Sequence, residues 1–212
     1  MNGPADSFEE EAVTSIWTLS LILGLSIADA PITDAKHSLR QPKPVLTVLV
    51  RDLVGIDPAI RNIARTQAIR ILNHAGIELR WIDANSSEDP NLTSTSYLTV
   101  VIAAQPPAGW TTQDTMGLAP TRTGPYRRAY VFSTMITAFL HSFTPESQSN
   151  YGIVLGHAIA HELGHLLISG DAHGVGIMRP DWAYREWEQA LEGTLLFVPN
   201  LWQALRDGLQ PQ

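Results

Sequence analysis

Residues 151–168 carry His157, His161, Glu162 and His165 in the order H-A-I-A-H-E-L-G-H. The surrounding positions, among them Ile153, Val154, Leu155, Ile159, Leu163 and Leu166, are apolar at helical spacing. That pattern predicts a buried helix over residues 150–169, with Asn150 as its cap. Residues four apart stand one above the other on a helix face, so the imidazoles of His161 and His165 can both reach one zinc ion. Glu162 lies about 100° around the helix from His161. It is off the ligand row and is placed to take a proton from a water activated by the metal. This division of labour is the chemistry of an H-E-x-x-H segment. Without a metal, a carboxylate buried between two histidines would be poorly satisfied. His157, one turn earlier, reads as a core histidine bonded to a backbone carbonyl, with lining the site as its second role.

A catalytic zinc takes three protein ligands and keeps one position open. Beyond Gly170, which can break the helix, the chain continues D-A-H-G-V-G-I-M-R-P-D-W over 171–182. His173 is the expected third ligand and Asp171 the alternative. Gly174 and Gly176 permit a tight bend that would bring Met178 beneath the ligands. Taken together, H-E-L-G-H-L-L, A-H, G-I-M-R and the following Trp182 resemble the metzincin clan of zinc metallopeptidases. The resemblance is specific over 156–182 and looser over 45–132, where only the order of elements agrees.

This resemblance implies an α/β fold: a twisted mixed sheet, a backing helix at 58–75, an active-site helix, and a small C-terminal helical part. It implies a Met-turn at Met178 and one catalytic Zn2+ held by His161, His165 and His173. It also implies endopeptidase activity with Glu162 as general base and acid, and an edge strand, expected at 129–132, that binds extended peptide by adding a strand. The family's glycine and third ligand stand seven and ten residues after the first His, where this chain has Ile168 and Asp171. Gly170 and His173 come two residues later. Two positions after the Met, where some members carry Tyr, stands Pro180. The competing reading is a gluzincin-type site with a ligand from Glu186, Glu188 or Glu192. Those carboxylates otherwise form the solvated face of a helix spelled W-A-Y-R-E-W-E-Q-A-L-E. A non-catalytic, zinc-stabilised binding domain is the other alternative.

Upstream elements must position this helix. Residues 45–50 (V-L-T-V-L-V) read as a buried strand. Asp57 and Pro58 are a cap and first residue for a helix running to Ala75, with Gly76 ending it. Residues 77–82 alternate as a half-buried strand and 97–104 form another. Strand, helix, strand in this order implies a parallel pair with a crossover helix. Residues 105–128, rich in Pro, Gly and Thr, read as a long irregular loop. Residues 129–132 are a short fourth strand, and Ser133 is placed to cap a helix through Leu140.

Of the 212 residues, 44% are hydrophobic and 17% charged, which excludes a disordered or coiled-coil chain and leaves room for a real core. There is no cysteine, so disulfides, thiol nucleophiles and thiolate zinc sites are excluded and a metal must be held by His, Asp or Glu. With 14 Lys and Arg against 21 Asp and Glu the net charge is −7, which disfavours a nucleic-acid partner; the partner that the metzincin resemblance implies is a peptide or protein substrate. Residues 13–30 are an apolar run, short for a membrane span and containing near its end the small-x-small pattern of Ser26 and Ala28. Residues 1–28 are thus expected to be an export signal or an anchor, and the protein extracytoplasmic or secreted. The run lacks a basic flank: Asp6, Glu9, Glu10 and Glu11 precede it. Residues 29–44 read as a polar lead-in and 45–212 as a single catalytic domain.

Overall fold

In the computed structural model the first strand, β1 (Val45–Asp52), is an interior strand of the sheet. Leu46, Thr47, Val48 and Val50 are all buried, so both of its faces are covered, the usual condition of a parallel strand. Asp57 then caps α1 (Pro58–His74), its carboxylate accepting the Ala59 N–H at 2.7 Å, with Pro58 at a position that needs no donor. The helix turns Ala64, Ala68, Ile71 and Leu72 inward and returns the chain to β2 (Glu78–Asp83), parallel to β1. Gly76, at φ +81°, makes the turn between them, a conformation that L side chains rarely adopt. On the other side β1 pairs in parallel with β3 (Leu98–Ala103), and β3 in parallel with β5 (Arg128–Phe132). The structure describes residues 42–84, 97–110, 115–121, 127–143, 148–169 and 172–210, all within the unit Gln41–Gln212. The expected leader at 1–28 and most of the polar lead-in fall outside them.

Two expectations fail at the next strand. Within residues 105–128 the chain forms β4 (Gly117–Thr121), antiparallel to β5, and the five strands run in the order β2-β1-β3-β5-β4. The edge is therefore β4, not residues 129–132, which are interior, with Ala129, Val131 and Phe132 fully buried. The sequence G-L-A-P-T has no alternation to announce a strand. It forms one because β5 offers a partner, and the register shift between Leu118 and Thr121 accommodates Pro120 where a regular ladder would not.

Strand β5 runs directly into α2 (Ser133–His141). Ser133 is its first helical residue rather than its cap: Phe132 holds that position with no side-chain bond. The helix start is tied instead to the end of β3, through the Thr134 N–H and hydroxyl, which both donate to the Ala104 carbonyl at 3.2 and 2.7 Å. Likewise Asn150 lies inside α3 (Gln148–Leu167), which begins two residues earlier, and so does not cap it.

Helix α3 lies tightly against α1. A Cβ at Gly156 would lie 2.5 Å from the Ala64 carbonyl oxygen, and one at Gly152 would lie 2.7 Å from the Ile63 Cβ. Gly156→Ala should therefore destabilise the fold by about 1–2 kcal/mol, overpacking outweighing the gain in helix propensity. Chemical denaturation of the two proteins checks this, and a more stable variant would show that the helices can part.

After α3, Gly176 at φ +65° starts a single 3-10 turn (Gly176–Met178), held by Ile177 N–H to the Leu196 carbonyl and Gly174 N–H to the Met178 carbonyl, both at 3.0 Å. Two short helices close the chain, α4 (Tyr184–Glu192) and α5 (Trp202–Asp207). Arg127 ties the end of α3 to α5, donating to the carbonyls of Leu166 (2.7 Å) and Gly208 (3.1 Å). Among the described residues no helix is long and apolar enough to cross a membrane.

Candidate metal centre

Helix α3 carries His161 and His165 on one face, as their spacing requires, and their Nε2 atoms stand 3.0 Å apart. Two nitrogens each about 2.0–2.1 Å from a tetrahedral zinc would be separated by about 3.3 Å, so both rings aim at one point. His173 arrives from the segment beyond α3, its ring centroid 4.6 Å from that of His165 and 6.0 Å from that of His161. One ligand nitrogen from each of the three lies within 4.8 Å of the others. No other group of three or more His, Asp or Glu among the described residues meets that geometry. The imidazoles grade from covered at 161 to exposed at 173, which leaves the metal position open to the cleft. Gly170 and Asp171, the latter the alternative third ligand, lie outside the described residues.

The protonation of His161 is set by its surroundings. Its Nδ1–H donates to the Ile177 carbonyl at 2.6 Å, which leaves the Nε2 lone pair free to face His165 and His173. Burial pushes its pKa down to about 4, with a smaller push from His173, so the ring is neutral and competent to ligate at pH 7. Trp182 donates its indole N–H to the same carbonyl at 3.3 Å and stands edge-on to the His161 ring at 5.8 Å. Met178 is fully buried beneath α3, where a Cβ on Gly164 would lie 2.5 Å from its sulfur and 2.9 Å from the Phe197 ring. Gly164 thus lets the turn between His161 and His165 settle onto the Met.

Glu162 is 4% exposed, and burial raises its pKa to about 8. Its Oε2 has no hydrogen-bond partner. An orphaned buried carboxylate oxygen is destabilising, and a site that tolerates one is a candidate for acid-base chemistry. It borders a cleft of about 880 Å³, with Met116 and the β4 residues 117–120 on one side and Met135 and Phe139 of α2 on another. The three histidines, Asp181 and Trp182 are also among its lining. The chemistry of the donor set fits zinc: three imidazole nitrogens, a side open to solvent, and a carboxylate nearby that is not a member of the ligand group.

The remaining titratable residues take other roles. His157 is fully buried, its Nδ1–H donating to the Ile153 carbonyl at 2.8 Å, and its Nε2 lies 3.5 Å from an Arg70 nitrogen. Burial depresses its pKa to about 4, against 6.5 in an unfolded chain. The sign follows: the unfolded chain takes up this proton first, so the stability due to neutral His157 is full above pH 6.5 and is lost as the pH falls toward 4. The loss amounts to about 3 kcal/mol. Urea denaturation of the metal-free protein from pH 7 to 4 should include this slope, and His157→Gln should reduce the slope by that amount, leaving the part due to His161, whose pKa burial depresses likewise. Equal slopes in both proteins would refute the assignment.

Glu186, expected on a solvated face, is in fact 4% exposed. One oxygen accepts the Ala183 N–H at the start of α4 at 2.9 Å, and the other stands 3.6 Å from Arg179. Glu188 and Glu192 are on the exposed side of α4. None of the three is in the metal-competent group. His74 packs edge-on against Trp202 at 5.3 Å.

Reading the sequence alone missed β4 and with it Gly117, Met116 and Leu118, and gave no role to Met135 and Phe139. A glycine inside a strand is a signal of close backbone approach, but it speaks only once the strand is known. Comparison with protein-family models, with curated proteins and with solved structures finds no match for this chain.

Proposed function

We propose that this chain is a zinc-dependent endopeptidase of the metzincin type that its sequence resembles. The observation that carries the reading is the convergence of His161, His165 and His173 beside a buried, unpartnered Glu162 at the floor of an open cleft. The mixed sheet with one antiparallel edge strand, α1 behind α3, and the turn that seats Met178 under Gly164 all support it. So does the position of β4. The resemblance calls for an edge strand beside the active-site helix, and β4 replaces residues 129–132 in that role.

Held by the three histidines, a zinc ion would supply Lewis acidity, polarising a carbonyl and making water a stronger acid. The protein's own groups do the rest. The Ile177 carbonyl keeps His161 in the ligating tautomer. The unpaired edge of β4 can hold an extended peptide by strand addition across the cleft. Glu162 takes the proton of the attacking water and returns it to the leaving amine, a shuttle that a carboxylate buried away from bulk solvent performs without leakage. Action outside the cytoplasm belongs to the same proposal and rests on the apolar run at 13–30.

The test is elemental analysis of the purified chain together with digestion of a reduced, unfolded protein. One zinc per chain is expected, with cleavage abolished by a chelator and restored by added zinc. Bound zinc with no cleavage of any peptide library would instead indicate a zinc-stabilised binding domain.

A further inference from the structure

The edge strand does more than line the cleft. Gly117 is buried in β4, directly over the Glu162 side chain. A Cβ at 117 would lie 2.5 Å from Glu162 Oε1 and 2.7 Å from both Cδ and Cγ. The contact falls on the stem of the carboxylate as well as its tip, so a turn of the carboxyl group alone would not relieve it. Neither wall gives easily. On one side, β4 is pinned by the Phe132 N–H to the Met116 carbonyl at 2.8 Å and by the Thr115 hydroxyl to the Gly117 carbonyl at 2.8 Å. On the other, Gly152 and Gly156 seat α3 against α1 with no slack. Beside the carboxylate is a cavity of about 30 Å³ bordered by Gly117, His161, Glu162 and Trp182, enough for a single water.

We infer that Gly117 is a positioning residue: its bare backbone presses Glu162 into the one placement that faces both this water-sized cavity and the histidine cluster. A methyl group at 117 would drive the carboxylate out of that placement while leaving the histidines untouched. The consequence for turnover rests on the endopeptidase reading; the mechanical coupling of the two residues does not.

The experiment is a cycle of Gly117→Ala, Glu162→Ala and the double variant in the full-length, zinc-loaded protein. Zinc content, Tm and steady-state kinetics on a quenched fluorogenic peptide cleaved by the wild type are measured for each. Gly117→Ala should retain one zinc, lose at least tenfold in kcat with KM changed less than threefold, and lower the Tm. In the Glu162→Ala background the same substitution should leave the Tm unchanged, because the colliding atoms are gone. If Gly117→Ala does not fold, recovery of folding in the double variant supports the coupling, and failure of both overturns it. An equal Tm loss in both backgrounds, or kcat within twofold of wild type with zinc retained, overturns it as well. If the wild type cleaves no peptide, the endopeptidase reading fails while the Tm comparison still decides the coupling.

Discussion

Glu162→Gln is expected to lower peptide turnover by about 10²–10⁴-fold, the range that a positioned general base contributes, with zinc still bound. The amide is nearly isosteric with the carboxylate but has no basic oxygen to receive a proton. Because Glu162 is not in the histidine group, its replacement leaves all three ligating nitrogens in place. The same variant carries a stability signature. Burial raises the carboxyl pKa to about 8, so in the metal-free protein the fold favours the protonated form. Relative to an unfolded chain that ionises near 4.5, stability is present below that pH and is lost as the pH rises through 8. An amide has no charge to desolvate. Metal-free Glu162→Gln should therefore melt above wild type at pH 8 and close to it at pH 4. Higher stability with lost activity is the trade expected where a functional group is held in a place that disfavours it. Full activity in the variant would remove Glu162 from the chemistry, and with it the proposed reaction.

His173→Ala should weaken zinc binding by roughly 10²–10³-fold, if one ligand contributes about a quarter of the roughly 10–16 kcal/mol typical of a four-ligand site. The i, i+4 pair on α3 remains, but two nitrogens on one helix face do not enclose an ion. His165→Ala should weaken binding at least as much, since it breaks the pair itself. Competition with a chelating dye measures both. Zinc affinity unchanged in His173→Ala, with Asp171→Ala losing the metal instead, would move the third ligand to Asp171. Equal affinity in every variant would dissolve the metal centre altogether.

Much of this was open to inspection in the residues themselves. The H-E-x-x-H spacing, the Asp57–Pro58 helix start and the runs at 45–50 and 97–104 express short-range physics: side-chain periodicity and one capping bond. Such features depend on neighbours a few positions away, and the structure places them within two residues or so of where the pattern does. The errors were of a different kind. Ser133 and Asn150 have the chemistry of caps but not the position: the start of α2 is tied through Thr134 to the Ala104 carbonyl just past β3, thirty residues away, and α3 begins two residues before Asn150. Glu186 looks solvated on a helical wheel and is buried because Arg179 and the Ala183 N–H meet it there.

The sequence by itself thus determined the histidine-bearing helix, the order of its histidines and the absence of any thiol alternative. The convergence of His173 on His161 and His165 depended on the turn at Gly176, held by the Leu196 carbonyl. Only the tertiary structure decided that G-L-A-P-T is a strand, and that its glycine lies on the carboxylate. A segment with no periodicity of its own takes its conformation from the partner that offers it hydrogen bonds. Here that partner is β5, and the site is completed by a contact that neither segment specifies alone.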